Sequence, residues 1–127
     1  FHGLDLNIKD VYIKNGFYFE NNAKIKIGKN VFINNNVIFE GIGSINIEDN
    51  VKIGPNTVIA TTNHNISRNV DKMSNVTIKS NTWIAASCII LPGITLGPNV
   101  TVGAGSVVTK NYNNCTIAGN PANKIVN

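Results

Sequence analysis

Charge is scarce in this chain. Asp, Glu, Lys and Arg make up 14% of its 127 residues, and the formal net charge is +4. No Arg-rich or aromatic-interleaved stretch accompanies that charge, which argues against a nucleic-acid surface, although a phosphorylated ligand would suit it. Cysteine occurs twice, at Cys88 and Cys115, too far apart for a metal-ligand pattern, and both thiols are expected to be reduced. Histidine occurs only at His2 and His64. No apolar run is long enough to span a membrane and no signal-peptide pattern stands at the start, so a cytoplasmic location is expected, the first residue being Phe1 rather than Met.

What is present is a repeat. From Val76 to Thr109 the chain reads in sixes: VTIKSN, TWIAAS, CIILPG, ITLGPN, VTVGAG, SVVTKN. Anchors recur at Ile78, Ile84, Ile90, Leu96, Val102 and Val108, and the residue two before each is apolar or small. Side chains two apart on a strand point the same way, so each unit sends two residues inward and then turns. Neither a helix nor a hairpin has a strict period of six, whereas a coil of short strands does. Three units make a triangular coil of about 18 residues, and coils stack at about 4.8 Å. The apolar fraction of 43% can fill a continuous core, and 23 Asn with 11 Gly supply corners that need unusual backbone angles.

The expected fold is therefore all-β, one domain over residues 1–127. Residues 1–24 alternate irregularly, as capping coils do. Regular inward pairs follow at Ile25/Ile27, Val31/Ile33, Val37/Phe39, Ile45/Ile47, Val51/Ile53 and Thr57/Ile59, with a two-residue bulged corner at Glu40–Ser44. The grid resumes over 76–109, and 110–127 form a C-terminal tail. Residues 61–75, TTNHNISRNVDKMSN, break the period and read as a loop ejected from the coil, where function concentrates on rigid scaffolds.

The hexads, the loop with its His, the segment NTWIAASCIILPGITLGPNVTVGAGSVVTKN and the tail AGNPANKIV resemble the left-handed parallel β-helix (hexapeptide-repeat) acyltransferases. The chain is most similar to the O-acetyltransferases of sugars and polysaccharides, of the maltose and galactoside, capsule and lipopolysaccharide types. The streptogramin acetyltransferases stand close by. Left-handed winding is implied by the resemblance alone, since the general rule for parallel crossovers favours the right hand.

The resemblance implies an O-acetyltransferase that uses acetyl-CoA as co-substrate and no metal, with a saccharide hydroxyl as acceptor. His64 matches the family's general base, and an imidazole suits proton removal from an alcohol near neutral pH. The backbone N–H of Ala86 matches the oxyanion donor. Ala85 replaces the usual Gly after Trp-Ile, adding a methyl group to the pantetheine track, and Trp83 would shield that groove. Ala104 would bond pantetheine, with Thr109 and Lys110 near the nucleotide end of CoA. Lys124 would reach the phosphates, though an extra Asn123 shifts the usual basic residue by one. Asn34 matches an acceptor-contacting Asn. Glu40 occupies the bulged corner where galactoside and maltose relatives carry acidic sugar-binding residues, but Gly-Ile-Gly follows it, a departure that tells against a simple galactoside or maltose acceptor.

The family forms homotrimers with sites between subunits, and the outward apolar Val58, Trp83, Ile89 and Val107 favour some packing partner. Three alternatives stand beside this reading: N-acetylation of an amino-sugar nucleotide, a streptogramin-type acceptor, and a β-helix scaffold without catalysis. A carbonic anhydrase of the same fold needs three His ligands for zinc, which two histidines cannot supply.

Overall fold

The computed structural model describes residues 4–6, 10–65 and 70–125; His2 and Arg68 lie outside them. Three strands make each coil. The first contains β1 (Leu4–Leu6), β2 (Val11–Ile13) and β3 (Tyr18–Phe19). The second contains β4 (Lys24–Ile27), β5 (Val31–Ile33) and β6 (Ile38–Glu40), and the third β7 (Ser44–Ile47), β8 (Lys52–Ile53) and β9 (Val58–Ala60). Two strands, β10 (Thr62–Asn65) and β11 (Val70–Met73), then leave the coil. The fourth coil is β12 (Val76–Ile78), β13 (Trp83–Ile84) and β14 (Ile89–Ile90). The fifth is β15 (Thr95–Leu96), β16 (Val100–Val102) and β17 (Val107–Val108), followed by β18 (Cys115–Gly119) and β19 (Ala122–Lys124).

Like strands of successive coils pair in parallel and build three flat sheets, the faces of a left-handed parallel β-helix. Sheet A is β1-β4-β7-β12-β15, sheet B is β2-β5-β8-β13-β16-β18-β19, and sheet C is β3-β6-β9-β14-β17. The expected all-β class holds. The N-terminal stretch does more than cap, because β1, β2 and β3 pair in register with the second coil. The tail likewise extends sheet B through β18 and turns back as β19.

The hexad explains this register. Both members of all twelve expected inward pairs are buried, from Ile25 and Ile27 to Ser106 and Val108. Like residues stack from coil to coil: Ile33 on Ile53, Ile53 on Ile84, Ile84 on Val102, Val102 on Ile117. Each buried Ile contributes about 1.5–3 kcal/mol through area removed from water, so the stack is held mainly by its interior. At the N-terminal end Phe17 meets Phe39 edge-on, with ring centroids 4.9 Å apart. One inward polar atom is left over: the Thr82 hydroxyl is buried with no partner among the described residues.

Corners account for the Asn usage. Asn30, Asn50, Asn81, Asn99 and Asn114 all turn the A-to-B corner with φ between 49° and 60°, the left-handed region that Asn tolerates better than most residues. The B-to-C corner follows the same rule at Asn36 and Asn56, then changes to Ser87 and Gly105 in the fourth and fifth coils. That loss of Asn side chains opens the corner on one side of the molecule.

Candidate active site

The segment expected to be a loop ejected from the coil does leave it, as a β-hairpin. Strands β10 and β11 pair antiparallel, with Thr62 opposite Met73 and His64 opposite Asp71. Its base is clamped by the bulged corner between the second and third coils. Glu40 Oε1 accepts the backbone N–H groups of Thr61 (3.3 Å) and Thr62 (3.2 Å). The Thr61 hydroxyl donates to Glu40 O at 2.8 Å and accepts the Gly43 N–H at 3.1 Å. A Cβ on Gly43 would sit 2.7 Å from Thr61 Cβ, and Gly41 has a φ of +88°, so the Gly-Ile-Gly after Glu40 is what lets the hairpin base seat. The Glu40 carboxylate therefore points to the hairpin base, not to the groove that holds Asn34. Ser74 N–H donates to Thr61 O at 2.8 Å and closes the insertion.

On this hairpin His64 Nδ1 lies 2.9 Å from Asp71 Oδ1, with both side chains more than half exposed. In the tautomer that donates Nδ1–H to the carboxylate, Nε2 is the ring's acceptor. Asp71 is a functional candidate that the residue pattern of the segment does not reveal. It faces His64 through the cross-strand register, which the expectation of an ejected loop did not contain.

A second cluster lies on sheet B and at the B-to-C corner. Phe32, Asn34, Lys52, Ile53, Gly54 and Trp83 line a groove of about 200 Å³, so Asn34 and Trp83 come together. The corner residues Lys14, Asn34, Gly54 and Ala85 form a column, each donating its N–H to the carbonyl of the next coil. From Gly54 onward the column is small: Gly54, Ala85, Gly103. Gly54 is required there, because a Cβ would lie 2.6 Å from the backbone C of Ala85 and N of Ala86. None of the hydrogen bonds among the described residues uses the Ala86 N–H, although the Ala86 carbonyl accepts from Gly105 N at 2.9 Å. Ala104 is exposed beside Gly105, next to which an added Cβ would meet nothing within 4 Å. A smooth strip of open backbone thus runs past Ala85, Ala86 and Ala104.

The remaining expected residues fall elsewhere. Thr109 and Lys110 follow β17 at the C-to-A corner, the corner from which the hairpin also leaves, while Ala85, Ala86 and Ala104 are across sheet C from them. Lys124 lines a separate cavity of about 430 Å³ with Lys79, Thr95, Asn111, Tyr112 and Cys115. Within one chain the structure does not bring His64 to the Asn34–Trp83 groove, whose lining contains no hairpin residue. Cys88 is buried, and its thiol is pushed above its ordinary value by desolvation, partly offset by backbone hydrogen bonds. No group of three or more His, Cys, Asp or Glu among the described residues could hold a metal ion, and no helix there is long and apolar enough to cross a membrane.

Comparison with known proteins agrees with this fold. Residues 75–110 match the model described as bacterial transferase hexapeptide (six repeats), and residues 24–60 match the hexapeptide repeat of succinyl-transferase. The chain is 33% identical over 123 residues to galactoside O-acetyltransferase of Escherichia coli (strain K12), covering 92% of this chain and 61% of that protein. The chain thus spans less than two thirds of that relative's length. It superposes on the crystal structure of a maltose O-acetyltransferase from Clostridium difficile 630 with a TM-score of 0.83 and 38% identity, over 98% of this chain and 68% of the other. A hexapeptide-repeat acetyltransferase from Vibrio cholerae O1 biovar eltor, complexed with acetyl coenzyme A, superposes with a TM-score of 0.88 at 28% identity, over 98% of this chain and 70% of that one. By these matches, and by a coil whose every inward pair obeys the six-residue rule, the chain belongs to the hexapeptide-repeat transferase family.

Proposed function

We propose that this chain transfers an acetyl group from acetyl-CoA to a hydroxyl of a saccharide or polysaccharide precursor, with His64 as general base. The observation that carries the proposal is the His64–Asp71 pair at 2.9 Å on a clamped hairpin. Asp71 holds the Nδ1 hydrogen, orients the ring, and stabilises the imidazolium once it forms. Acetyl-CoA supplies an acetyl group activated as a thioester. His64 Nε2 takes the proton of the acceptor hydroxyl as its oxygen attacks the acyl carbon, and later returns that proton to the departing sulfur. The free N–H of Ala86 donates to the acyl oxygen as negative charge develops on it.

The smooth strip at Ala85, Ala86 and Ala104 fits an extended pantetheine arm bonding backbone groups, and Gly105 leaves it room. Trp83 flanks the strip, while Thr109, Lys110 and Lys124 supply polar and cationic groups for the nucleotide end. Asn34 is assigned to the acceptor. Glu40 acts one step removed, as a positioning residue for the hairpin. Because the hairpin and the strip stand at different corners, one copy's His64 serves the strip of a neighbour, and a homotrimer supplies that neighbour. The outward row on sheet C is apolar, as such packing needs: Tyr18, Ile38, Val58, Ile89 and Val107 in register. A thioester donor of this kind places the reaction in the cytoplasm.

The test is an acceptor screen that follows free thiol released from acetyl-CoA. Saccharides bearing only hydroxyls are expected to support release above the hydrolysis background. Release with amino-sugar nucleotides or streptogramins alone would overturn the O-acetyl assignment.

A further inference from the structure

The outward side chains of sheet B form one row across four coils. Tyr12 is in register with Phe32, Phe32 with Lys52, and Lys52 with Trp83. At about 4.8 Å per coil the row is about 14 Å long, longer than a single pyranose ring. Tyr12 is 63% and Trp83 55% exposed, a large aromatic surface for a chain to leave in line. Lys52 stands in the middle of it, exposed, with Phe32 on one side and Trp83 on the other. No carboxylate answers it: the ion pair among the described residues is His64–Asp71. A second cation, Lys14, holds its Nζ 5.8 Å from the centroid of the Phe32 ring at the same groove.

Aromatic rings that are apolar on their faces suit the C–H faces of sugars, and a compact ammonium between them suits an anionic substituent. Since the groove also contains Asn34, we propose that the acceptor is an anionic oligosaccharide or polysaccharide. It lies across the coils on Tyr12, Phe32 and Trp83 with a carboxylate or phosphate ester at Lys52. This rests on the saccharide-acceptor reading above and adds the charge and extent of the substrate. It also fits the place of Glu40, whose carboxylate is engaged at the hairpin base and leaves acceptor recognition to the basic groove.

Trp83 is the single tryptophan of the chain, so its fluorescence reports groove occupancy without turnover. The protein is titrated with trigalacturonate, with maltotriose 6-phosphate and with neutral maltotriose; the first two separate a carboxylate from a phosphate ester. At least one anionic trisaccharide is expected to bind about tenfold or more tightly than maltotriose. In Lys52→Gln that preference should fall about three- to tenfold, and Lys52→Arg should restore most of it, with affinity for maltotriose and CoA unchanged. Equal binding of neutral and anionic trisaccharides by the wild type, or an anionic preference that survives in Lys52→Gln, would overturn the proposal. Failure of the acetyltransferase reading shows separately, as absence of thiol release from acetyl-CoA with every saccharide.

Discussion

In the proposed mechanism a carboxylate 2.9 Å from one nitrogen of the imidazole leaves the other nitrogen as the base, and the two residues then differ in what their loss does. His64→Ala removes the proton acceptor and should lower the acetylation rate by about 10² to 10⁴, the usual share of general-base catalysis. Asp71→Asn keeps the base but loses its orientation and the stabilised imidazolium, so a smaller loss of about 10- to 100-fold is expected. Because the pair is exposed, its removal should leave the thermal midpoint within about 2 °C of wild type. Rate assays and thermal melts on the two variants check this; equal rates for Asp71→Asn and wild type would remove Asp71 from the mechanism. The two cysteines make a second contrast at this scale. Cys88 is buried with a desolvated, raised thiol, whereas Cys115 is half-buried and lines a cavity. Reaction with iodoacetamide at pH 8 should label Cys115 alone in the folded protein and both residues in denaturant, as read by mass spectrometry. Labelling of native Cys88 would show that the coil interior opens.

The hairpin is the element that converts a structural repeat into a candidate enzyme. It is inserted without cost to the register: Val58–Ala60 still pairs with both neighbours in sheet C, and Thr61 O and Ser74 N already meet at the base. Replacing residues 62–73 by Asn-Gly should therefore keep the far-ultraviolet circular dichroism and hold the melting temperature within about 5 °C, while abolishing acetyl transfer. Collapse of the fold would show instead that the Glu40 clamp supports the third coil. The coils were legible in the sequence because each inward pair reports its own burial, and all twelve pairs repeat one local rule. The hairpin was not, because its pairing depends on a register between Thr62–Asn65 and Val70–Met73 that no apolar alternation marks. The same gap concealed Asp71, which becomes a partner of His64 only once the strands align. Lys52 is hidden in the sequence for a related reason. It is one of the outward residues of a hexad, indistinguishable in sequence from a solvated lysine until the row from Tyr12 to Trp83 is assembled by stacking.

As a whole molecule, one chain carries the parts of the proposed site on separate edges. His64 rises from the C-to-A corner, and the open strip at Ala85, Ala86 and Ala104 runs along the B-to-C corner, with the apolar face of sheet C between them. In the proposed ring of three copies one chain's hairpin would meet its neighbour's strip, and Tyr18, Ile38 and Ile89, which are 55%, 38% and 40% exposed in the single chain, would be covered. Sedimentation should accordingly report a trimer at micromolar concentration, and a monomer would leave the composite site without its second half. The most direct measurement of the central claim uses two inactive partners. His64→Ala lacks the base but keeps the strip; Ala104→Trp, altered at an exposed corner, fills the strip but keeps the base. Each alone should release almost no thiol from acetyl-CoA in the presence of the acceptor. Co-expressed in equal amounts, they should recover about a quarter of the wild-type rate, since one interface in four then joins an intact His64 to an intact strip. A co-expressed mixture no more active than the separate variants would contradict a site shared between copies with His64 as its base.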